Sequence, residues 1–138
     1  MAKIKLLIDT DVLIDSLKGM KAAKYLFRTK KIDLFCSVLS RKELLSKGGL
    51  GESERKRIMS LLSKIKVLRI DDDINKKYVF LMKKYLFLMR KYGERPDSMA
   101  DYIVAATAWS KKLPLLTRNK KHFEHIEEII LSPGYEID

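Results

Sequence analysis

Acidic and amide side chains follow several apolar segments of this sequence, at points where a strand ends or a helix begins. They are Asp9, Asp11, Glu43, Asp101 and Asn119. Carboxylates held close together repel one another unless a cation neutralises them. Oxygen ligands favour Mg²⁺, for which Mn²⁺ can substitute. The residue types therefore predict chemistry at a hard divalent cation.

The sequence does not favour a zinc site. It contains one cysteine, Cys36, and two histidines, His122 and His125, and it lacks a His-Glu-x-x-His motif. Cys36 lies in an apolar run and is expected to be a buried core residue that forms no internal disulfide. The two histidines are expected to cap or pack rather than to bind metal.

Apolar strand patterns alternate with helical patterns, which predicts a parallel sheet covered by helices. The predicted strands are residues 4–8, 34–38, 67–70 and 113–117, with a fifth, edge strand from residues 129–131 or 135–137. The predicted helices are residues 12–17, 20–30, 40–47, 52–65, 72–92 and 97–111. We therefore predict a single α/β domain over residues 1–138, in which helices lie on both faces of a central parallel sheet of four to five strands.

In such a sheet, functional groups gather beyond the carboxyl ends of the strands. Asp9 and Asp11 follow the first predicted strand, and Asn119 follows the fourth. Glu43 and Asp101 fall on the first turns of predicted helices. All five side chains are therefore expected to converge.

Two of these acids have an alternative explanation. Ser40 and Glu43 have the spacing of a capping box, and so do Ser98 and Asp101. A capping role accounts for either acid without catalysis. Asp9 lies at the end of a predicted buried strand, where an aspartate costs stability unless it binds a ligand or caps a helix, and a functional role is the favoured interpretation.

The overall charge and the apolar runs bear on partners and location. The chain has 29 Lys and Arg against 18 Asp and Glu, a net charge of +11. This excess favours polyanions as partners, although the lysines are scattered and a solvated surface is the alternative. No apolar run is long enough to span a bilayer, and an early carboxylate, Asp9, is incompatible with a signal peptide. We therefore expect a cytoplasmic protein without a membrane partner.

The predicted helix over residues 72–92 is more apolar than one buried face requires. Its apolar and aromatic stripe consists of Tyr78, Leu81, Met82, Tyr85, Leu88, Met89 and Tyr92. Most of this stripe is expected to be core. The surplus predicts a homodimer contact or a groove for a partner helix.

Four segments together resemble the PIN-domain nucleases, and among them the VapC-type toxins of bacterial and archaeal toxin-antitoxin pairs. They are residues 7–15, 40–45, 101–108 and 115–119, the last with Phe123 close behind. Their order and spacing match those of the family. The resemblance implies a PIN-like fold and a Mg²⁺-dependent endoribonuclease that hydrolyses RNA phosphodiesters. It also implies an acidic antitoxin protein as a partner.

The resemblance also implies roles for individual residues. Asp9 and Asp101 would bind the metal, and Glu43 would complete the cluster. Thr10 and Thr117 would orient ligands or the attacked phosphate. Asn119 belongs to the catalytic set, at a position where the family often has a carboxylate, which implies that a second metal ion binds weakly.

Basic residues adjoin the proposed site, and they are Arg41, Arg118 and Lys120. They are expected to hold RNA phosphates, with solvated charge as the alternative. Asp97, one helical turn before Asp101, either adds charge to the site or caps the helix.

The sequence is also compatible with two functions other than ribonuclease activity. The first is an RNA-binding or interaction module that kept the fold and lost catalytic strength at Asn119. The second is a phosphatase of the haloacid dehalogenase type, because Asp9-Thr10-Asp11 after a strand also resembles that family's nucleophile and acid-base pair. The later motifs of that phosphatase family are missing from the sequence.

Overall fold

The structure is a computed structural model that describes residues 3–92 and 99–133, with side chains described for all of these except residues 86–92. Its sheet contains the strands β1 (Ile4–Ile8), β2 (Ile32–Ser37), β3 (Lys66–Leu68) and β4 (Leu115–Leu116). The strand order is β3-β2-β1-β4, and every neighbouring pair is parallel. The predicted α/β class with a parallel sheet is confirmed.

Helices connect the strands, as parallel pairing requires. In the described part of the chain they are α1 (Thr10–Leu17), α2 (Lys21–Arg28), α3 (Val38–Leu45), α4 (Glu52–Leu62), α5 (Asp72–Tyr92) and α6 (Met99–Lys111). A short 3₁₀ turn, Lys120–His122, follows β4. The predicted helices agree with these bounds to within a few residues, apart from details at α3.

Successive residues of β1 point to opposite faces of the sheet and enter two separate cores. Leu6 and Ile8 pack with residues of α1, α2, α3 and α4. Leu7 packs with residues of α5 and α6. The predicted placement of helices on both faces is therefore confirmed. Burial on both faces also explains why β1 is an almost continuous apolar run.

The start of α3 differs from the prediction. Ser37, the last residue of β2, caps the helix, and its Oγ accepts a hydrogen bond from the backbone N–H of Leu39 at 3.1 Å. Ser40 and Glu43 consequently lie inside the helix, so the predicted capping box at Ser40 is wrong. The reason is that Ser37 already satisfies a free N–H group where the strand ends. The capping alternative for Glu43 is thereby removed.

The sheet edge beside β4 also differs from the prediction. Leu131 forms only an isolated parallel bridge with Leu115, so residues 129–131 do not make the fifth strand. β4 spans two residues rather than the predicted five, and the side chain of Thr117, which follows it, bonds with an acidic side chain. The structure does not describe residues 135–137, the alternative edge strand. It does not describe Asp97 or Ser98 either, so the capping roles predicted for these two residues stay predictions.

Two predictions about burial are confirmed. Cys36 is fully buried. In the stripe of α5, Leu81 is fully buried and Tyr85 is almost fully buried. Tyr78 and Met82 are partly buried against the same core. The structure does not describe the side chains of the remaining members of the stripe, residues 88, 89 and 92. No helix in the described ranges is both long enough and apolar enough to cross a membrane.

Candidate active site

The site begins where β1 passes into α1. Asp9 is the N-cap of α1, and its Oδ1 accepts a hydrogen bond from the backbone N–H of Thr10 at 2.8 Å. Only 8% of Asp9 is exposed. Asp11 follows on the first turn of the helix. The end of a buried strand therefore delivers two carboxylates to one turn.

Thr117, which follows β4, joins these two carboxylates. Its Oγ1 lies 3.0 Å from Oδ2 of Asp9 and 3.2 Å from Oδ2 of Asp11, and the residue is fully buried. The same oxygen accepts a hydrogen bond from the backbone N–H of Asn119 at 3.0 Å. Because a hydroxyl has one proton, the two carboxylates share a single donor. Pairing of β1 with β4 produces this arrangement, since it brings the two strand ends side by side.

The pKa of Asp9 is raised to about 6, chiefly by burial and next by the negative charge of Asp11. Hydrogen bonds from Thr10 and Thr117 oppose this shift, whereas the charge of Asp101 adds to it. Burial likewise raises the pKa of Asp11, against a hydrogen bond from the backbone of Arg118. Repulsion and burial therefore destabilise the charged form of these carboxylates, and a bound cation would stabilise it.

Glu43 on α3 belongs to the same electrostatic neighbourhood. Partial burial raises the pKa of its carboxyl, a hydrogen bond with Thr10 lowers it, and the charge of Asp101 raises it. The Thr10 hydroxyl also lies 2.9 Å from Oγ of Ser40, to which it donates. Thr10 thus ties the start of α1 to α3 and lies close to the Glu43 carboxyl.

Asp101 lies on the first turn of α6, and its Oδ2 is 3.2 Å from Nδ1 of His122. Sequence reasoning missed this contact, because nothing local links the two residues. His125 packs instead: its Nε2 lies 2.9 Å from the hydroxyl of Tyr102, and its ring meets Tyr85 edge to face. The packing role predicted for His125 is confirmed.

The three predicted phosphate-binding cations occupy different environments. Arg118 Nε lies 3.0 Å from Oδ2 of Asp15, a buried residue of α1 that sequence reasoning did not single out. The available signal was an aspartate four residues after Asp11, on the same face of the helix as Asp11. Lys120 lies in the 3₁₀ turn, and Arg41 is exposed on α3, two residues before Glu43.

The donor chemistry of the cluster fits a hard cation. Oδ1 of Asp11 is buried and has no hydrogen-bond partner, and all the candidate ligands are oxygens. Over residues 3–92 and 99–133, no three His, Cys, Asp or Glu side chains form a ready-made metal-binding group. The observed carboxylates therefore supply suitable atoms and excess negative charge, without a completed coordination shell.

The combination of this sheet with acidic side chains at its carboxyl edge has a clear parallel among known proteins. A sequence model for the PIN domain matches residues 6–129. The chain belongs to the PIN domain family. The resemblance predicted from four sequence segments is thereby confirmed.

Curated relatives of this PIN domain are ribonucleases by name. Ribonuclease VapC10 of Mycobacterium tuberculosis is 32% identical over 126 residues, which cover 90% of each chain. Ribonuclease VapC1 of Methanocaldococcus jannaschii is 29% identical over 125 residues, covering 90% of this chain and 82% of that protein.

Solved structures resemble this PIN domain over most of its length. A toxin-antitoxin complex from Klebsiella pneumoniae contains a chain with a TM-score of 0.70 and 27% identity, covering 91% of this chain and 95% of that one. VapBC2 from Rickettsia felis, bound to a promoter DNA fragment, gives a TM-score of 0.77 at 19% identity and covers 94% and 98%. The second likeness supports the fold alone.

Proposed function

We propose that this PIN domain is a metal-dependent endoribonuclease, the toxin of a toxin-antitoxin pair, and that it hydrolyses RNA phosphodiesters in the cytoplasm. The observation that carries the proposal is the buried Asp9, which shares the Thr117 hydroxyl with Asp11 and lies within electrostatic range of Asp101. The names of the VapC relatives support the same reaction.

Asp9 and Asp101 would hold Mg²⁺, with Glu43 completing the cluster. When bound, such an ion lowers the pKa of a water molecule and neutralises the attacked phosphate. The protein's own contribution is orientation: Thr117 and the backbone of Thr10 fix both oxygens of Asp9. Thr10 also lies close to the Glu43 carboxyl and lowers its pKa, which favours the charged form of that group.

The central experiment is cleavage of a labelled RNA by the purified protein with Mg²⁺, with Mn²⁺ and with a chelator. We expect cleavage only with metal, and none by Asp9→Asn. Asp9→Asn is nearly isosteric, so circular dichroism should show an unchanged fold. A variant that cuts as fast as the unmodified protein would overturn the proposed site.

The same experiment separates the ribonuclease from a binding module on this fold. If the unmodified protein binds RNA but never cuts it, the weakened module that Asn119 suggested is the better description. The phosphatase alternative loses its basis, because the PIN domain match spans residues 6–129.

RNA phosphates would contact the basic residues beside the carboxylates. Lys120 follows Asn119 directly, and Arg41 precedes Glu43 by two residues on an exposed face. Arg118 already pairs with the buried Asp15, so Lys120 and Arg41 carry most of this part of the proposal. Phosphate contacts of this kind fix the position of the RNA without selecting its sequence.

An acidic antitoxin would bind across a groove of about 570 Å³ that includes two site residues. Its lining combines Thr10 and Glu43 with the apolar side chains of Ile14, Leu17, Leu44, Leu50 and Ile58, among others. Lys18, Lys47 and Arg57 also line it and favour an acidic partner. An occupant of this groove would lie against Glu43 and obstruct RNA.

The test co-expresses this chain with a candidate antitoxin, a short acidic protein encoded by a neighbouring gene if one is present. That protein should inhibit RNA cleavage, and Leu50→Glu in the groove should relieve the inhibition while leaving cleavage itself unchanged. Met59→Glu is the matched control, because Met59 is exposed on α4 and does not line the groove. Equal inhibition of all three proteins would contradict binding in this groove.

We further propose a homodimer formed through α5. Phe80 is 50% exposed on this helix, Val79 is exposed beside it, and the Phe80 ring meets Trp109 of α6 edge to face at 5.5 Å. Exposed aromatic surface of this kind is typical of interfaces. Sedimentation should therefore detect a dimer that Phe80→Glu dissociates, whereas Met59→Glu should not.

A further inference from the structure

Arg118 connects the loop after β4 to α1 at two points. Its backbone N–H donates a hydrogen bond to Oδ2 of Asp11 at 3.0 Å. Its side chain extends to Oδ2 of Asp15, where Nε lies 3.0 Å away. Asp11 and Asp15 are four residues apart on α1 and therefore lie on the same face of the helix. One residue of the loop thus spans a full helical turn.

Asp15 is an unusual residue at its position. It is 1% exposed, and it lies on a helix whose neighbouring Val12 and Leu13 are fully buried in the core. A buried carboxylate is costly unless it is paired and hydrogen-bonded. A well-packed apolar side chain would generally give equal or greater stability than a buried ion pair. Packing alone therefore does not account for the aspartate.

The ion pair with Arg118 explains the aspartate, because it holds Arg118 in one particular position. Arg118 stands between Thr117 and Asn119, and the N–H of Asn119 donates to the Thr117 hydroxyl at 3.0 Å. That hydroxyl is the donor shared by Asp9 and Asp11. Any displacement of Arg118 would therefore move the shared donor and release one oxygen of Asp11. An apolar contact has no comparable directionality, because hydrophobic attraction is nondirectional.

We propose that Asp15 and Arg118 form a positioning pair that holds residues 117–119 against α1 and so keeps the Thr117 hydroxyl between Asp9 and Asp11. This inference rests on the proposed ribonuclease function for its consequence, though not for its geometry. Arg118 acts through the loop and Asp15 acts through Arg118. Neither residue is assigned direct contact with the reacting phosphate in this role.

The experiment compares Asp15→Asn, Arg118→Gln and the double variant with the unmodified protein. Hydrogen exchange of the backbone amides of Arg118 and Asn119, measured without metal or RNA, is the first readout. We expect both amides to exchange at least about tenfold faster in Arg118→Gln, because the loop loses its anchor while the core keeps its protection. The amide of Val12, bonded to the backbone of Asp9 in α1, is the internal control.

The second readout is steady-state cleavage of RNA. A positioning pair predicts a fall in kcat of about 10–100-fold with KM changed less than about twofold, as for groups that orient a ligand. It also predicts that the double variant is no worse than the poorer single variant, since both substitutions break one interaction. Arg118→Lys should restore part of kcat by keeping the charge.

The outcomes separate the alternatives. The proposal would be overturned if the amides of Arg118→Gln were as protected as those of the unmodified protein. It would also be overturned if the unmodified protein cleaved RNA and Arg118→Gln had the same kcat. A raised KM and a reduced salt dependence of RNA binding in Arg118→Gln, absent in Asp15→Asn, would instead make Arg118 a phosphate contact. If Asp15→Asn does not fold, the soluble Arg118 variants still decide the question. If the unmodified protein never cuts RNA, the proposed function fails while the exchange measurement still tests the pair.

Discussion

The hydroxyl of Thr117 lies 3.0 Å from Oδ2 of Asp9, although 108 positions separate the two residues. Parallel pairing of β1 with β4 brings them together, through the register of Ile8 with Leu116. Because the same hydroxyl also faces Asp11, it sets the distance and orientation of both carboxylates. The chemistry of the site therefore depends on a buried side chain that carries no charge.

Removal of this hydroxyl should affect both stability and activity. In Thr117→Val, two carboxylates lose a donor and the N–H of Asn119 loses its acceptor, so the free energy of unfolding should fall by about 1–3 kcal/mol. Cleavage should fall by about 10–100-fold. Thr117→Ser keeps the hydroxyl and is the matched control. Urea unfolding and RNA cleavage measure the two effects, and a Thr117→Val protein indistinguishable from Thr117→Ser would contradict the assigned role.

The metal-free protein should become more stable at neutral pH when the Asp9 charge is removed. The pKa of Asp9 is about 6 in the folded protein, against an ordinary value of 3.8 for an aspartate in the unfolded chain. The folded state therefore binds this proton more tightly than the unfolded chain does, and stability falls as the pH rises from about 4 to about 6. Asp9→Asn removes that penalty.

The expected gain from Asp9→Asn at pH 7.5 is at most about 3 kcal/mol, because one pKa unit corresponds to about 1.4 kcal/mol. The gain should be smaller at pH 4.5. Chemical unfolding in a chelator at both pH values provides the measurement, with the exposed substitution Glu124→Gln as the control. An equal or larger gain at the lower pH would show that burial of the Asp9 charge is not the cause.

Asp101→Asn should abolish metal-dependent cleavage and preserve the fold. Loss of groups that merely orient ligands costs about 10–100-fold, so loss of a ligand should cost at least about 100-fold. Mn²⁺ should raise the melting temperature of the unmodified protein by binding the folded state, and it should do so much less in Asp101→Asn. Equal stabilisation of both proteins by Mn²⁺ would remove Asp101 from the ligand set.

Asn119→Asp should tighten binding of a second Mn²⁺ ion. A neutral amide offers one carbonyl oxygen and no compensating charge, whereas an aspartate supplies both. Asn119 is exposed next to Thr117, so the substitution should be tolerated without refolding. Calorimetry without RNA should then detect a second site and cleavage should need less metal. Two tight sites in the unmodified protein would mean that Asn119 is not the limiting ligand.

Salt dependence should identify the residues that contact RNA phosphates. In the inactive Asp9→Asn background, Lys120→Ala and Arg41→Ala should each reduce the slope of log binding constant against log salt by about 1. Lys5→Ala is the control, because Lys5 lies on β1 toward its amino end, away from the site. Slopes that match the control would assign both residues to the solvated surface.

Local patterns in the sequence were enough to predict the succession of strands and helices along the chain and the place of Asp9 at the end of the first strand. Both depend on short-range signals: apolar runs that fit a strand buried on two faces, helical spacing, and a carboxylate at the end of an apolar segment. Glu43 and Asp101 could also be proposed, because the sequence pattern predicts both on first turns of helices next to predicted strands. The capping box at Ser40, however, had a competitor three residues earlier, and local spacing could not decide between them.

Contacts between side chains that lie far apart in the sequence became visible only in the folded protein. Asp9 and Thr117, Asp101 and His122, and Asp15 and Arg118 are pairs joined by strand order and by the packing of helices on the sheet. The spacing of apolar residues shows which face of a helix or strand is buried, but it does not show which residues pack against that face. Contacts between residues far apart in the sequence therefore cannot be predicted from it. The same limit explains why Asp15 passed unnoticed: its buried partner is supplied by a loop 103 positions away, which only the pairing of β1 with β4 brings within reach.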